Sequence, residues 1–250
     1  MHTERIATIK QKLIDAGIDP GLFEKERFVI KADAKNIASF IDHTILKPDA
    51  TAEAVKKVCK EAAENGFATV CVNSCNIPLV AEELEGGEVK PISVVGFPLG
   101  AMDSKSKAFE AGTAVQNGAK EIDMVINVGQ LKSLFYRKVF DDIKAVVEAS
   151  SPYPVKVIIE TSLLSHDEKI EACLLSKAAG AAFVKTSTGF GGGGATVEDV
   201  ALMREVVGTG MGVKASGGVK TREDADKMIK AGATRIGTSS GAAIIGGGKS

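Results

Sequence analysis

From residue 36 to the end of the chain, short apolar runs rich in Val and Ile alternate with amphipathic stretches. The runs are Asn36–Asp42, Ala68–Val72, Lys90–Gly96, Glu121–Val128, Val155–Glu160, Ala182–Lys185, Gly212–Lys214 and Arg235–Gly237. Each is short enough for a strand and is bounded by turn formers. Among the stretches between them, Thr51–Asn65 begins on a Thr cap and stops at Gly66. Asp103–Asn117, Glu168–Ala179 and Thr221–Ala231 likewise stop at Gly118, Gly180 and Gly232, which are helix-end signals. Eight strand–helix units predict an α/β fold, a closed parallel (β/α)8 TIM barrel over residues 36–245 of a single domain spanning 1–250. The first 35 residues predict a helical extension with Ile6, Ile9, Leu13 and Ile14 on one face and Gly17 at its end. It is expected to plug one end of the barrel or to mediate assembly. Gly246–Ser250 reads as a flexible tail.

Composition narrows the classes of function. Among 250 residues, 31 are basic and 32 acidic, for a net charge of −1, and no basic or acidic block stands out. Nucleic acid is therefore not the expected partner. No run approaches the roughly 18 apolar residues that a membrane span requires, so no membrane association is expected. The N-terminal stretch has no apolar core of the secretory kind, and a cytoplasmic protein is expected. Cys59, Cys71, Cys75 and Cys173 form no CxxC pair and read as reduced thiols. Cys71 alone stands near the end of a strand.

Barrel enzymes carry their chemistry at the C-terminal ends of the strands. The sixth run ends Phe183-Val184-Lys185-Thr186-Ser187-Thr188-Gly189 and the seventh Val213-Lys214-Ala215-Ser216-Gly217-Gly218. Each places a lysine after apolar residues at the reactive end of neighbouring strands. A single such lysine is most simply a solvated rim residue or half of a salt bridge. Two side by side favour chemistry, because desolvation and a neighbouring cation both lower a lysine pKa. An unperturbed lysine is only about a thousandth neutral near pH 7.4, whereas attack on a carbonyl needs the free amine. Lowering the pKa to about 7–8 amounts to roughly 3–5 kcal/mol of differential interaction. One lysine would be the nucleophile and the other the cation that tunes it, and spacing alone leaves their assignment open.

The fourth run alternates so that Asp123, Val125 and Asn127 share one face and Ile122, Met124 and Ile126 the other. Asp123 therefore points into the barrel, either as half of a structural ion pair with Lys185 or Lys214 or as a proton shuttle. Asp42 is a second carboxylate that could orient substrate hydroxyls or cap a loop. His43, beside it, faces the other way and reads as structural. Glycine-rich loops follow the last three runs, at Gly189–Gly194, Ser216–Val219 and Gly237–Gly241. They could be plain tight turns. Their common location at one barrel end favours phosphate binding through backbone N–H groups, and hence a phosphorylated small molecule as substrate.

Two motif matches fail on context. Gly189–Gly194 fits the dinucleotide pattern GxGxxG but follows the sixth strand, with Lys214 roughly where the acidic residue should be. Gly237-Thr238-Ser239-Ser240-Gly241 fits GxSxG, yet no Asp, Glu or His follows Gly241. His2, His43 and His166 are scattered, and no paired-ligand spacing occurs, so neither a metal nor an organic cofactor is expected.

The segments EIDMVINVG, VKVIIET, FVKTSTGFG, VKASGGV and RIGTSSG, with IDHTILKPDAT and GFATVCVN before them, resemble the deoxyribose-phosphate aldolases in order and position. The resemblance runs over roughly residues 36–245. It implies a class I aldolase that reversibly cleaves 2-deoxy-D-ribose 5-phosphate to acetaldehyde and D-glyceraldehyde 3-phosphate through a lysine Schiff base. It further implies that Lys185 forms the Schiff base, Lys214 lowers its pKa and Asp123 relays protons through water. Asp42, Thr44, Cys71 and Thr188 would line the substrate site, and Gly189, Gly217, Gly218, Gly237, Ser239 and Ser240 would cradle the phosphate. Two positions depart from the pattern. Some members have lysine directly after TSTG, where this chain has Phe190, so phosphate binding should rest more on backbone N–H groups. Some end in a tyrosine that assists proton transfer, where this chain ends Gly-Gly-Gly-Lys-Ser. Sugar phosphate and aldehyde substrates and a homodimer or homotetramer are the expected partners. The alternatives are another Schiff-base aldolase or transaldolase, and a non-catalytic phosphosugar-binding barrel.

Overall fold

The computed structural model of the chain describes residues 2–24 and 36–246. Eight parallel strands follow one another around a closed barrel: β1 (Ile41–Thr44), β2 (Thr69–Val72), β3 (Lys90–Val95), β4 (Glu121–Val125), β5 (Val155–Ile158), β6 (Phe183–Lys185), β7 (Gly212–Ser216) and β8 (Arg235–Thr238). The helices are α1 (His2–Asp15), α2 (Ala52–Asn65), α3 (Ile77–Glu83), α4 (Ser104–Gln116), α5 (Val128–Lys132), α6 (Tyr136–Ala149), α7 (His166–Ala179), α8 (Val197–Val207), α9 (Arg222–Lys230) and α10 (Gly241–Gly246). None is long and apolar enough to cross a membrane.

Local chemistry sets the helix boundaries. Thr51, Asp103, Ser165, Thr196 and Thr221 each accept a backbone N–H in the first turn of α2, α4, α7, α8 and α9. At Ser165 and Thr221 the acidic residue three positions on completes a reciprocal cap. Three expected strand boundaries shift for similar reasons. Asn36 does not open a strand: its side chain accepts the Ala38 N–H and starts a 3-10 turn over Ile37–Phe40, so β1 begins at Ile41. Asn127 does not extend β4 but caps α5 by accepting the Gln130 N–H. β5 stops at Ile158, ahead of Glu160, which adopts a left-handed conformation.

Period-two alternation divides the strand side chains between two environments. Ile41, Val70, Ile122, Met124, Val157, Val184, Val213 and Ile236 point outward into the main core beneath the helices. His43 also points outward, bonded through Nε2 to Glu61 at 2.9 Å and packed on Phe67. The inner face is different. Register neighbours Asp123↔Lys156, Lys185↔Lys214 and Lys214↔Arg235, with Glu121 beside Ile92, gather acids and bases inside the barrel. A small apolar cluster of Leu46, Cys71, Ile92 and Val94 shares that space.

The floor of the barrel depends on one absent side chain. Phe183 lies 5.2 Å below the Lys156 ammonium and 5.6 Å from the Arg235 guanidinium, measured to the ring centroid. A Cβ on Gly212 would stand 2.1 Å from the Phe183 ring. Gly212→Ala should therefore cost about 1–3 kcal/mol through overpacking, read as a lower urea midpoint at unchanged slope.

The described part of the N-terminal extension packs outside the barrel. α1 runs against α7 on the outer helix layer, burying Ile9 and Leu13. Lys12 reaches the buried Glu171 at 2.8 Å, and Tyr136 donates to the same carboxylate. Arg5 pairs with Asp167 at the surface. Exposed pairs of that kind contribute at most about 1 kcal/mol, so the apolar stripe is the main anchor. Another buried lysine, Lys107 of α4, donates to the Val125 carbonyl at 3.0 Å and to Asp142 of α6 at 2.7 Å, tying both helices to β4. At the other end of the chain, Gly246 closes α10, and the rest of the expected tail, residues 247–250, lies outside the described residues.

Candidate active site

Six side chains from five strands form a closed ring of alternating charge inside the barrel. Asp42 meets Arg235 at 2.6 Å, Arg235 meets Glu121 at 3.1 Å, and Glu121 is hydrogen-bonded to Lys156. Lys156 meets Asp123 at 3.1 Å, Asp123 meets Lys214 at 2.8 Å, and Lys214 returns to Asp42 at 2.5 Å. Thr69 adds a hydrogen bond to Asp42. Three acids and three bases leave the ring neutral. A seventh member, Lys185, hangs from it by a single contact: Nζ donates at 2.9 Å to the Asp123 oxygen that Lys214 also occupies.

This arrangement separates the two strand-end lysines. Lys185 is 3% exposed and Lys214 is fully buried, so burial penalises both ammonium forms. Lys214 recovers more than that penalty from Asp123 and Asp42, and its pKa is raised. For Lys185 burial is the leading influence; attraction to Asp123 opposes it, repulsion from Lys214 adds to it, and the pKa is lowered. Burial also disfavours charge on Asp42, but Lys214 and Arg235 outweigh it and hold that carboxyl well below its ordinary range. Asp123 is lowered likewise, against burial, by Lys156, Lys185 and Lys214. A neutral Lys185 thus leaves the barrel interior with balanced charge.

Above Lys185 opens a cavity of about 810 Å³ at the C-terminal ends of the strands. Of the residues singled out in the sequence, Thr44, Lys185, Thr188, Gly189, Gly217, Gly218, Gly237, Ser239 and Ser240 line it. Asp42, Cys71, Asp123 and Lys214 lie behind Lys185, each fully buried. Asp42 is the second residue of β1, engaged by Lys214, Arg235 and Thr69, and does not itself line the cavity. Cys71 belongs to the inner apolar cluster, where burial pushes its thiol up to about 11 and keeps it protonated. The loops after β6 and β7 interlock: a Cβ on Gly194 would stand 2.4 Å from the Gly217 carbonyl oxygen. Gly217 itself has φ +82°, a conformation that side chains disfavour. Phe190 stands at the rim edge-on to Phe97, at 5.4 Å between ring centroids.

Several members of this assembly escape the sequence reading. Lys156, Glu121 and Arg235 are ring members, and their inward phase was available from alternation with Ile158, Asp123 and Gly237. Lys47 and Lys220 line the cavity rim as basic groups suited to an anion. Among the described residues no cluster of His, Cys, Asp and Glu is placed to hold a metal ion.

The sequence profile of the DeoC/LacD family aldolases matches residues 37–246. The chain is 59% identical over 218 residues to the deoxyribose-phosphate aldolase of Thermotoga maritima, covering 87% of this chain and 88% of that protein. It is 61% identical over 216 residues to that of Clostridium novyi, covering 86% and 97%. Among solved structures, a putative deoxyribose-phosphate aldolase from Coccidioides immitis superposes with a TM-score of 0.85 at 41% identity, over 99% of this chain and 97% of that one. A deoxyribose phosphate aldolase from Aeropyrum pernix, described as a unique tetramer, gives 0.79 at 36% identity over 84% and 89%. Matched by the family profile over residues 37–246 and 59–61% identical to the Thermotoga and Clostridium proteins over most of its length, the chain belongs to the DeoC/LacD family of aldolases.

Proposed function

We propose that the protein reversibly cleaves 2-deoxy-D-ribose 5-phosphate to acetaldehyde and D-glyceraldehyde 3-phosphate through a Schiff base on Lys185. The observation that carries this reading is the neutral ring with one surplus lysine, poised at the cavity floor. Lys185 has one carboxylate partner and a cationic neighbour, and its free amine upsets no charge balance. Lys214 has two carboxylate partners and stays charged. The nucleophile and the tuning cation are assigned accordingly.

Neutral Lys185 attacks C1 of the open-chain sugar and expels water to give an iminium ion. The C3 hydroxyl loses its proton, the C2–C3 bond breaks, and its electron pair moves into the iminium to form an enamine. D-Glyceraldehyde 3-phosphate leaves. Protonation of the enamine at C2 and addition of water release acetaldehyde and regenerate the amine. Asp123 is an ionised carboxylate beneath Lys185, so it receives and returns these protons through water or through the lysine it binds. The phosphate lies among Gly189, Gly217, Gly218, Gly237, Ser239 and Ser240, with Lys47 and Lys220 at the rim. Self-association as a homodimer or homotetramer belongs to the same reading, on the likeness to the Aeropyrum pernix structure.

Borohydride reduction in the presence of deoxyribose 5-phosphate should leave a stable adduct on Lys185 in the digested protein. An adduct confined to another lysine reassigns the nucleophile. No adduct with either the sugar phosphate or acetaldehyde, in folded protein, removes the Schiff-base mechanism.

A further inference from the structure

We infer that Glu160 is a positioning residue for the phosphate-bearing half of the substrate, acting through the loop 188–194. The inference rests on the function proposed above. Glu160 is absent from the cavity lining and is not a member of the charged ring. It follows β5 with φ 55° and ψ 68°, a left-handed conformation that disfavours a residue with a side chain. That conformation turns a carboxylate inward at 3% exposure, where among the described residues it forms no ion pair. Its hydrogen bonds all go to Thr188: the backbone N–H donates at 3.2 Å, and Oγ1 donates as well.

The consequence is directional. A carboxylate only accepts, so the Thr188 hydroxyl must spend its proton on Glu160. Its lone pair is then free for the Phe190 N–H, which donates to it at 3.0 Å. Two bonds in series thus hold the turn Thr188-Gly189-Phe190, and all three residues line the cavity. The loop then folds directly over the turn that begins at Glu160. A Cβ on Gly191 would stand 2.8 Å from the Glu160 carboxyl carbon, and one on Gly193 would stand 2.4 Å from Ser162 Cβ. Gly194 in turn abuts Gly217. The turn 160–162 is therefore a template against which the β6 loop is moulded, and Gly189 and Gly217 take their places from it. A packing role alone would not require a buried acceptor-only group with both of its uses on one threonine. Lys185 is held separately by β6 pairing and Asp123, so loosening this loop should leave the amine in place.

The test is steady-state kinetics of Glu160→Ala, Glu160→Gln and Gly191→Ala with deoxyribose 5-phosphate and with unphosphorylated deoxyribose. Glu160→Ala should raise KM for the phosphorylated sugar about 10-fold with kcat within about threefold, the loss of one or two hydrogen bonds to a charged group. kcat/KM for the unphosphorylated sugar should change less than about twofold, since uniform binding of the missing phosphate is all that is lost. Glu160→Gln keeps an acceptor oxygen and should recover most of the KM. Gly191→Ala, which displaces the loop from the carboxylate without touching it chemically, should reproduce the Glu160→Ala pattern and carries the test if that variant does not fold. Equal losses on both sugars, or an unchanged KM, overturn the inference and leave the aldolase standing. Failure of the unaltered protein to cleave deoxyribose 5-phosphate overturns the proposed function instead, and this inference with it.

Discussion

Lys185→Met abolishes turnover, lowering kcat by about 10⁴-fold or more, and leaves the protein as stable as before or more so. The first half follows from the covalent step, which no other amine in the cavity floor is placed to supply. The second half follows from the charge pattern. Removing one partner from a buried ion pair ordinarily costs about 3–5 kcal/mol because an uncompensated charge stays behind. Here Asp123 keeps Lys156 at 3.1 Å and Lys214 at 2.8 Å, and the six-membered ring remains neutral. Methionine fills nearly the same volume and removes the one cation that the interior does not balance. Urea unfolding monitored by circular dichroism, beside an activity assay, checks both halves. A variant that loses several kcal/mol shows that Lys185 is a structural cation, and a variant that retains activity shows that it is not the nucleophile.

Lys214→Leu gives the opposite result for stability and a displaced pH profile for activity. Lys214 joins Asp42 to Asp123, and its loss opens the ring and leaves both carboxylates one cation short. A loss of about 3–5 kcal/mol is expected. The sign with pH is set by the directions of the shifts. The pKa of Lys214 is raised in the folded state, so its contribution is fully present below about 10.5 and is lost as pH climbs through the folded value. Asp42 and Asp123 are lowered, so their contributions are present above about pH 4 and are lost on acidification. The wild-type protein therefore keeps the ring through the whole neutral range, and the variant is weaker throughout it. Lys185 is the reverse case. Its folded pKa is depressed, so between that lowered value and about 10.5 the unfolded chain binds more protons at that position, and stability there rises with pH. Without Lys214 the repulsion is gone, Lys185 pairs with Asp123 undisturbed, and its pKa rises. Activity should then fall most at neutral pH and recover by up to about 10-fold per pH unit on going alkaline. A kcat/KM profile superposable on that of the wild type, merely scaled down, would falsify the tuning role.

Much of this was legible in the amino-acid order. Eight apolar runs with glycine stops report the barrel because strand length, helix length and cap chemistry all agree. Lys185 and Lys214 stand out because each is a charged residue at the end of an apolar run, followed by small residues, and Asp123 because it lies within an apolar run, opposed by an apolar face. The remaining ring members were hidden by their ordinariness. Val-Lys-Val at 155–157, Glu-Ile-Asp at 121–123 and Arg-Ile-Gly at 235–237 all alternate like strands with a solvated polar face. Only closure of the sheet turns that polar face into an interior, and only the register between neighbouring strands decides which charges meet. Glu160 was invisible for another reason: left-handed backbone is signalled by glycine or asparagine, and a glutamate in that conformation carries no local mark. The 3-10 turn at Ile37–Phe40 shows the converse limit, since an apolar tetrapeptide reads as strand until the Asn36 cap redirects it.

The closed ring also bears on how such a barrel could be remodelled. Every ring member has at least two charged partners, so no single substitution there is independent of the others, and acceptable changes would have to arrive as matched pairs or triples. Steps of that kind are strongly epistatic and rarely found by one-at-a-time variation. The loops above the ring carry no such constraint: Phe190 and Lys220 can each be exchanged without leaving a buried charge unpaired. New substrate preferences should therefore accumulate at the rim of the cavity, while the charged interior below is inherited nearly unchanged.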